Sequence, residues 1–177
     1  MKDNEITIRP ARAADLDAIA KINSQVFLGN RDNLEKASQW IDCLFNSFPI
    51  YHYYVLTLKG TKKIIGYIGW QVHGGFLRSS PVIELEQIGI DSEFQKQGLA
   101  IKLIKQSMQM MVDWMQDNNT RIESHIHFIV WVYAHNQNAV KVYKRIFDEA
   151  EKGRRSQYGD REEIMLRKKV IMVRPAR

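Results

Sequence analysis

The stretch Glu84-Leu85-Glu86-Gln87-Ile88-Gly89-Ile90-Asp91-Ser92-Glu93-Phe94-Gln95-Lys96-Gln97-Gly98-Leu99-Ala100 decides how this chain is read. It opens inside a strand-like segment, Val82 to Ile90, crosses a polar turn, and enters a helix from about Gly98 to Met115. That helix carries Leu99, Leu103, Ile104, Met108, Met111, Val112 and Met115 on one broad apolar face, as packing on a sheet requires. Small residues at Gly98 and Ala100 let backbone N–H groups at the helix start come close to a ligand. A helix N-terminus favours anions, and Lys96 adds a full positive charge, so the chemistry points to a phosphate-bearing ligand. The spacing is neither that of a P-loop nor that of a dinucleotide fingerprint. Taken alone, these residues also fit an ordinary strand-to-helix turn.

Outward from this stretch the pattern is mixed α/β. Glu5-Ile6-Thr7-Ile8-Arg9 alternates as a short half-buried strand stopped by Pro10. Leu16, Ile19, Ala20, Ile22 and Val26 recur at helical spacing, with Asp15 and Asp17 suited to the first turn and Gly29-Asn30 ending the helix. A second helix is expected from Asn33 to Phe45. Tyr51 to Leu58 and Ile64 to Val72 read as a β-hairpin about Lys59-Gly60-Thr61-Lys62. Past the long helix, Phe128-Ile129-Val130-Trp131-Val132 is a continuous apolar run within a strand from His125 to Tyr133, the mark of a sheet interior. A helix from Asn138 to Phe147 and a last strand about Ile164-Met165-Leu166 complete the order β-α-α-β-β-β-α-β-α-β. The two late strand–helix units are the expected parallel neighbours.

Length and composition bound the answer. The 177 residues, 45% hydrophobic and 26% charged, suit one globular domain, read as Glu5 to Val173 with Arg174 to Arg177 a basic tail. No apolar run nears the ~20 residues of a membrane-spanning helix, and Met1 to Pro10 lacks a secretory h-region. The lone Cys43 excludes an internal disulfide or a cysteine metal cage, and a reducing cytoplasm is the simplest compartment. The net charge of +6 implies an anionic partner. Aromatic residues do not interleave with the basic clusters as stacking platforms would, so nucleic acid is not the expected partner.

The Gln95-Lys96-Gln97-Gly98-Leu99-Ala100 segment resembles the Arg/Gln-x-x-Gly-x-Gly/Ala signature of the GCN5-related N-acetyltransferase (GNAT) superfamily. Asn136-Gln137-Asn138-Ala139-Val140-Lys141-Val142-Tyr143 is similar to that superfamily's Asn-x-x-Ala-x-x-x-Tyr after the fifth strand. The spacing between the motifs, the opening Ile6-Thr7-Ile8-Arg9-Pro10 and the closing Glu163-Ile164-Met165-Leu166-Arg167 extend the resemblance over nearly the whole chain. It implies a central, mostly antiparallel sheet flanked by helices and splayed at its fourth and fifth strands, with acetyl-coenzyme A in the cleft. Backbone groups of Ile88, Gly89 and Ile90 would pair with the pantetheine arm. Amides of Lys96, Gln97, Gly98, Leu99, Ala100 and Ile101 would hold the pyrophosphate, the Asn136 side chain would steady the pantetheine end, and Gln95, Ala139 and Tyr143 would complete the cofactor-binding set. Coenzyme A would then account for the positive charge.

The resemblance implies acetyl transfer to a primary amine of a small molecule or peptide. A backbone N–H at Ile90 is its candidate oxyanion donor, and Tyr143 would protonate the departing sulfur. Tyr143 also fits a half-buried packing role. Glu84 and Glu86 lie two apart on a strand and share a face, so either can act as base or attract a cationic amine. Both also fit a sheet surface matched by Lys or Arg. Ribosomal-protein N-terminal acetyltransferases place their base five residues before the motif asparagine, where this chain has Trp131. Phe147-Asp148 replaces the family's usual Gly-Phe, so the turn after the last helix must differ. A coenzyme A sensor of the same fold, without catalysis, is the alternative function.

The remaining marked residues read as structural. His125-x-His127 shares a strand face without a third ligand, so no metal is expected. His135 stands beside Asn136, and the methionines Met108, Met110, Met111 and Met115 fit core filling. Lys152-Gly153-Arg154-Arg155 and Arg167-Lys168-Lys169 fit solvated faces, with Tyr158-Gly159-Asp160 a turn between them. Val26 to Tyr54 and the Gly74–Pro81 loop are where the superfamily builds its acceptor pocket, with Trp40, Phe45, Tyr51 and Tyr53 as candidate walls. A homodimer through terminal strands is compatible with the superfamily.

Overall fold

Aromatic and β-branched residues fill Tyr51–Leu58 and Ile64–His73, and both become long strands, β2 and β3, buried along most of their length. They belong to a computed structural model that describes residues 5–28, 33–74, 77–122, 125–151 and 162–172. The other elements are β1 (Ile6–Pro10), α1 (Leu16–Asn23), α2 (Leu34–Phe45), β4 (Val82–Ile90), α3 (Leu99–Asn118), β5 (His125–Tyr133), α4 (Gln137–Tyr143), β6 (Glu149–Glu151) and β7 (Glu163–Ile171). The strands form one sheet in the order β1-β2-β3-β4-β5-β7-β6. β4 and β5 run parallel, whereas β1–β2, β5–β7 and β6–β7 are antiparallel. The parallel ladder covers Val82–Leu85 against His127–Val130.

Packing divides the chain into two compact units. The first comprises Met1–Trp70 and Gln87–Met110. Its core is built where α1 and α2 lay Ile19, Ala20, Ile22, Ala37 and Ile41 against Tyr51, Tyr53, Val55 and Tyr67. Trp70, three residues from Tyr67 and so turned to the opposite sheet face, donates its indole N–H to Ser107 Oγ of α3 at 2.9 Å. β1 ends at Pro10, which is its last paired residue, opposite Tyr54; on an edge strand the missing N–H faces no neighbour. Val26 leaves the expected apolar face and is 40% exposed. A π-helical segment, Ser24–Leu28, follows α1 and shifts the phase of the side chains.

The second unit comprises Gln71–Glu86 and Met111–Arg177. β5 lies between β4 and β7, as its apolar run implies. Burial nonetheless alternates along it: Ile126, Phe128, Val130 and Val132 are buried, while His125, His127, Ile129, Trp131 and Tyr133 are half-buried. Helix α4 is shorter than the expected Asn138–Phe147 and ends at Tyr143, with Ile146 and Phe147 buried in the turn beyond. Asp148 N–H then donates to Arg167 O at 3.0 Å and opens β6, which the sequence pattern does not predict. Gly29-Asn30, Lys152 to Arg155, Tyr158-Gly159-Asp160 and the tail from Arg174 lie outside the described residues.

Candidate functional site

In the first unit the strand end, turn and helix start are held by short local bonds. Asp91 accepts from Glu93 N–H at 3.1 Å, and Phe94 N–H returns to Asp91 O at 2.8 Å, closing a single 3-10 turn. Gln95 Nε2 donates to Ile90 O at 2.9 Å and ties the turn back to the end of β4. Lys96 (φ 61°) and Gly98 (φ 77°) are both left-handed, with Gln97 between them. A Cβ at Gly98 would meet nothing within 4 Å, so the glycine serves conformation rather than space. Lys102 N–H is the first to bond back into α3, reaching Gly98 O at 3.3 Å. The amides of Leu99, Ala100 and Ile101 fall in the first turn, which has no intrahelical acceptors for them. Those amides, the paired left-handed residues and Lys96 form a donor set suited to a multiply charged anion.

Ile88, Gly89 and Ile90 lead into this turn. A Cβ at Gly89 would come within 2.7 Å of the Tyr67 ring and 3.0 Å of Ile22, so only glycine fits against that tyrosine. Beside it, the buried Gln87 Oε1 accepts from Asn23 Nδ2 at 3.1 Å and from Tyr67 OH at 3.4 Å, while Asn23 also donates to Tyr67 OH at 2.7 Å.

In the second unit Asn136 caps α4: its Oδ1 accepts from Ala139 N–H at 3.2 Å. Tyr143, at the other end of the helix, is 8% exposed and stands edge-on to Phe147. Burial pushes its phenol up to about 12, which keeps it protonated at neutral pH. Glu84 and Glu86 share a face of β4, Glu84 half-buried and Glu86 exposed. Glu84 Oε2 lies 2.6 Å from His73 Nε2, at the end of β3. The sequence marks neither His73 nor this pairing, since strand register sets the contact and no local pattern reports it. Ala139 and Trp131 are both half-buried in this unit.

The other marked residues divide by burial. Tyr51 and Tyr53 are core residues at 2% and 5% exposure, Phe45 is half-buried, and Trp40 is 52% exposed. Thus the described Val26–Tyr54 segment shows one of the four expected aromatics well exposed. His125 Nε2 lies 2.9 Å from Ser80 Oγ, its ring edge-on to His127, and His135 stacks on Tyr133. Among the described residues no group of three or more His, Cys, Asp or Glu is placed to hold a metal ion. Nor is any helix among them long and apolar enough to cross a membrane.

Comparison with known proteins gives a consistent picture. The sequence profile of the Acetyltransferase (GNAT) family matches residues 16–148. No curated protein matches the chain by sequence. Among solved structures, NAA60 of Arabidopsis thaliana in complex with acetyl-CoA is similar at a TM-score of 0.66 and 14% identity, over 93% of this chain and 98% of that one. The dodecameric spermidine N-acetyltransferase of Vibrio cholerae is similar at a TM-score of 0.66 and 16% identity, over 93% and 94%. A GNAT-family acetyltransferase of Streptococcus pneumoniae is similar at 0.59 and 18%, over 94% and 99%. At these identities the likeness is one of fold.

Proposed function

The chain belongs to the Acetyltransferase (GNAT) family, and from that premise we propose that residues 5–173 act as one acetyl-CoA-dependent N-acetyltransferase domain. The acceptor is a primary amine of a small molecule or peptide, attacked directly in a ternary complex. The observation that carries the proposal is the turn at Lys96 and Gly98. Two left-handed residues, one of them the lysine, lead into the first-turn amides of α3, an arrangement that suits a pyrophosphate-bearing ligand. We assign the pyrophosphate to the Lys96–Ile101 backbone, with Gln95 opening that turn, and the pantetheine arm to the backbone of Ile88, Gly89 and Ile90. The single free cysteine, Cys43, suits a reducing, cytoplasmic setting.

Acetyl-CoA, when bound, supplies the activated acetyl thioester and departs as the thiol. The chain must do three things around it. An alkylammonium, with a pKa near ~10.4, has no lone pair to attack with, so a group on the chain must take its proton. The carboxylates Glu84 and Glu86 draw the cation to one face of β4, and we place proton removal at the Glu84 end of that face. The Ile90 N–H is the donor assigned to the negative charge that develops on the carbonyl oxygen. Removing one such donor costs ~2.7–4 kcal/mol in other enzymes.

Tyr143 then protonates the sulfur. A phenol held at about 12 is a weaker acid than an alkyl thiol at ~8.5 in water. Burial raises a thiol as it raises a phenol, and transfer follows as the carbon–sulfur bond breaks. Until then Tyr143 stays a hydrogen-bond donor, which keeps the site from losing its proton early.

The test is thiol release from acetyl-CoA across a panel of amines, polyamines and peptide N-termini included, with a no-acceptor control and Tyr143→Phe. Release with one amine class, reduced roughly 10²–10⁴-fold in the variant, is expected. Acetyl-CoA binding without release above the control for any amine would overturn the transferase reading in favour of a coenzyme A sensor.

A further inference from the structure

We infer that His73 is the group that accepts the proton from the acceptor amine, with Glu84 as the residue that orients it. This rests on the acetyltransferase reading above and names the proton acceptor within it. A carboxylate at neutral pH only accepts hydrogen bonds, and His73 Nε2 lies 2.6 Å from Glu84 Oε2. The proton between them therefore sits on Nε2. In the neutral ring this leaves Nδ1 as the lone-pair nitrogen, so the carboxylate fixes which tautomer is present.

Solvent exposure divides the roles the same way. The Glu84 side chain is 19% exposed, and His73 is 40% exposed. An approaching ammonium reaches the imidazole more readily than the carboxylate behind it. Glu84 then contributes by stabilising the imidazolium that forms, as a buried carboxylate does for a catalytic histidine elsewhere. The proton balance closes. Nδ1 takes one proton from the ammonium nitrogen and frees the pair that forms the carbon–nitrogen bond. As that bond forms and the carbon–sulfur bond breaks, the nitrogen loses its second proton. Tyr143 gives its own proton to the sulfur and is reprotonated by the one the nitrogen sheds. The imidazolium returns its proton to solvent.

The pairing also separates the two groups by what they have left to offer: the carboxylate is engaged with the Nε2 proton, while Nδ1 keeps the lone pair that can accept one.

The experiment pairs kinetics with a measurement that needs no turnover. His73→Gln keeps an N–H at the Nε2 position toward Glu84 but has no titratable lone pair. It is expected to lower kcat about 10²–10⁴-fold while leaving KM for acetyl-CoA unchanged, with partial rescue by added imidazole. Glu84→Gln, whose amide can either donate or accept, should release the tautomer and lower kcat with little effect on KM. Nitrogen NMR of the wild-type protein, ring-labelled on histidine, should show neutral His73 protonated on Nε2, and a mixture in Glu84→Gln. A wild-type ring protonated on Nδ1 overturns the inference. So does a folded His73→Gln that keeps kcat within a factor of about ten, below the smallest usual effect of losing a positioned base. Wild-type protein that transfers acetyl to no amine overturns the underlying reading as well, and so differs from a failure of His73 alone.

Discussion

Replacing Gly98 separates backbone conformation from steric room in the turn proposed to bind phosphate, because the structure constrains one and not the other. Gly98 sits at φ 77°, yet a Cβ there would meet nothing within 4 Å. Alanine at this position therefore clashes with no neighbour, and its whole cost is the left-handed backbone, ~1–2 kcal/mol for a residue with a Cβ. Asparagine occupies that region far more readily, so Gly98→Asn should cost a fraction of that. The alanine penalty can appear in two places. If the backbone stays left-handed, the penalty is a loss of stability, roughly 2–8 °C in Tm at ~2–4 °C per kcal/mol for a chain of this length. If the backbone relaxes to negative φ, the amides of α3 lose their aim and acetyl-CoA affinity falls about 5–30-fold. Thermal denaturation without ligand, and calorimetric titration with acetyl-CoA, measure the two shares. Their sum for Gly98→Ala should reach about 1–2 kcal/mol. Equal losses for alanine and asparagine, or none for alanine, would refute the argument from φ.

Two further predictions concern titratable groups outside the proposed catalytic set. Burial lowers His52 to about 4, although its ring bonds to Pro49 O at 3.0 Å. Its folded pKa lies below the unfolded ~6.5, so the unfolded chain binds the extra proton between those values. Stability should fall by up to about 3 kcal/mol as pH drops from ~6.5 to ~4 and flatten below, and His52→Gln should abolish that slope in urea titrations. Asp15 accepts hydrogen bonds from Arg9 Nη1 and Nη2 at 2.6 and 2.9 Å and from Arg12 N–H at 2.7 Å, which holds its carboxyl below the usual range. Its contribution is present above the ordinary carboxylate pKa and is lost as pH falls through the lowered one. Arg9 is 29% exposed and can recover some hydration, so Asp15→Ala should cost about 2–3 kcal/mol in chemical denaturation, under the ~3–5 of a fully buried pair.

What the sequence made legible was local. Leu99, Leu103, Ile104, Met108, Met111, Val112 and Met115 are all buried, because helical spacing alone puts them on one side. The strand–turn–helix at Gly98 was legible for the same reason, since glycine and turn residues act over a few positions. Contacts set by strand register were not. Glu84 meets His73 because β3 and β4 are neighbours in the sheet, and nothing near either residue records their alignment. β6 has no strand signal in Glu149-Ala150-Glu151; it exists because β7 offers an edge and α4 stops early at Tyr143. Val26 was misplaced because a helical pattern carries no mark of a π-helical turn.

Register also explains why polar residues are spent inside the core beside β4. Gln87, Asn23 and Tyr67 are each under 10% exposed and bond to one another, and Gly89 leaves room for the Tyr67 ring where a Cβ would come within 2.7 Å of it. A one-residue slip of β4 would turn Gln87 outward and put Glu86 or Ile88 in its place. Glu86 would bring a charge into a pocket whose donors suit a neutral amide oxygen. Ile88 would leave the Asn23 amide and the Tyr67 hydroxyl without that acceptor, at ~1–3 kcal/mol for each unsatisfied group. The slip is therefore blocked from both directions. Residues Ile88 to Ile90 are the ones proposed to meet the pantetheine arm with their backbone, and backbone groups cannot be re-aimed by changing rotamer. A strand that must present main-chain atoms to a ligand needs its register fixed from the side facing away. The polar triad does that in a way an all-apolar core of equal volume would not, since apolar contacts accept a shifted neighbour at little cost.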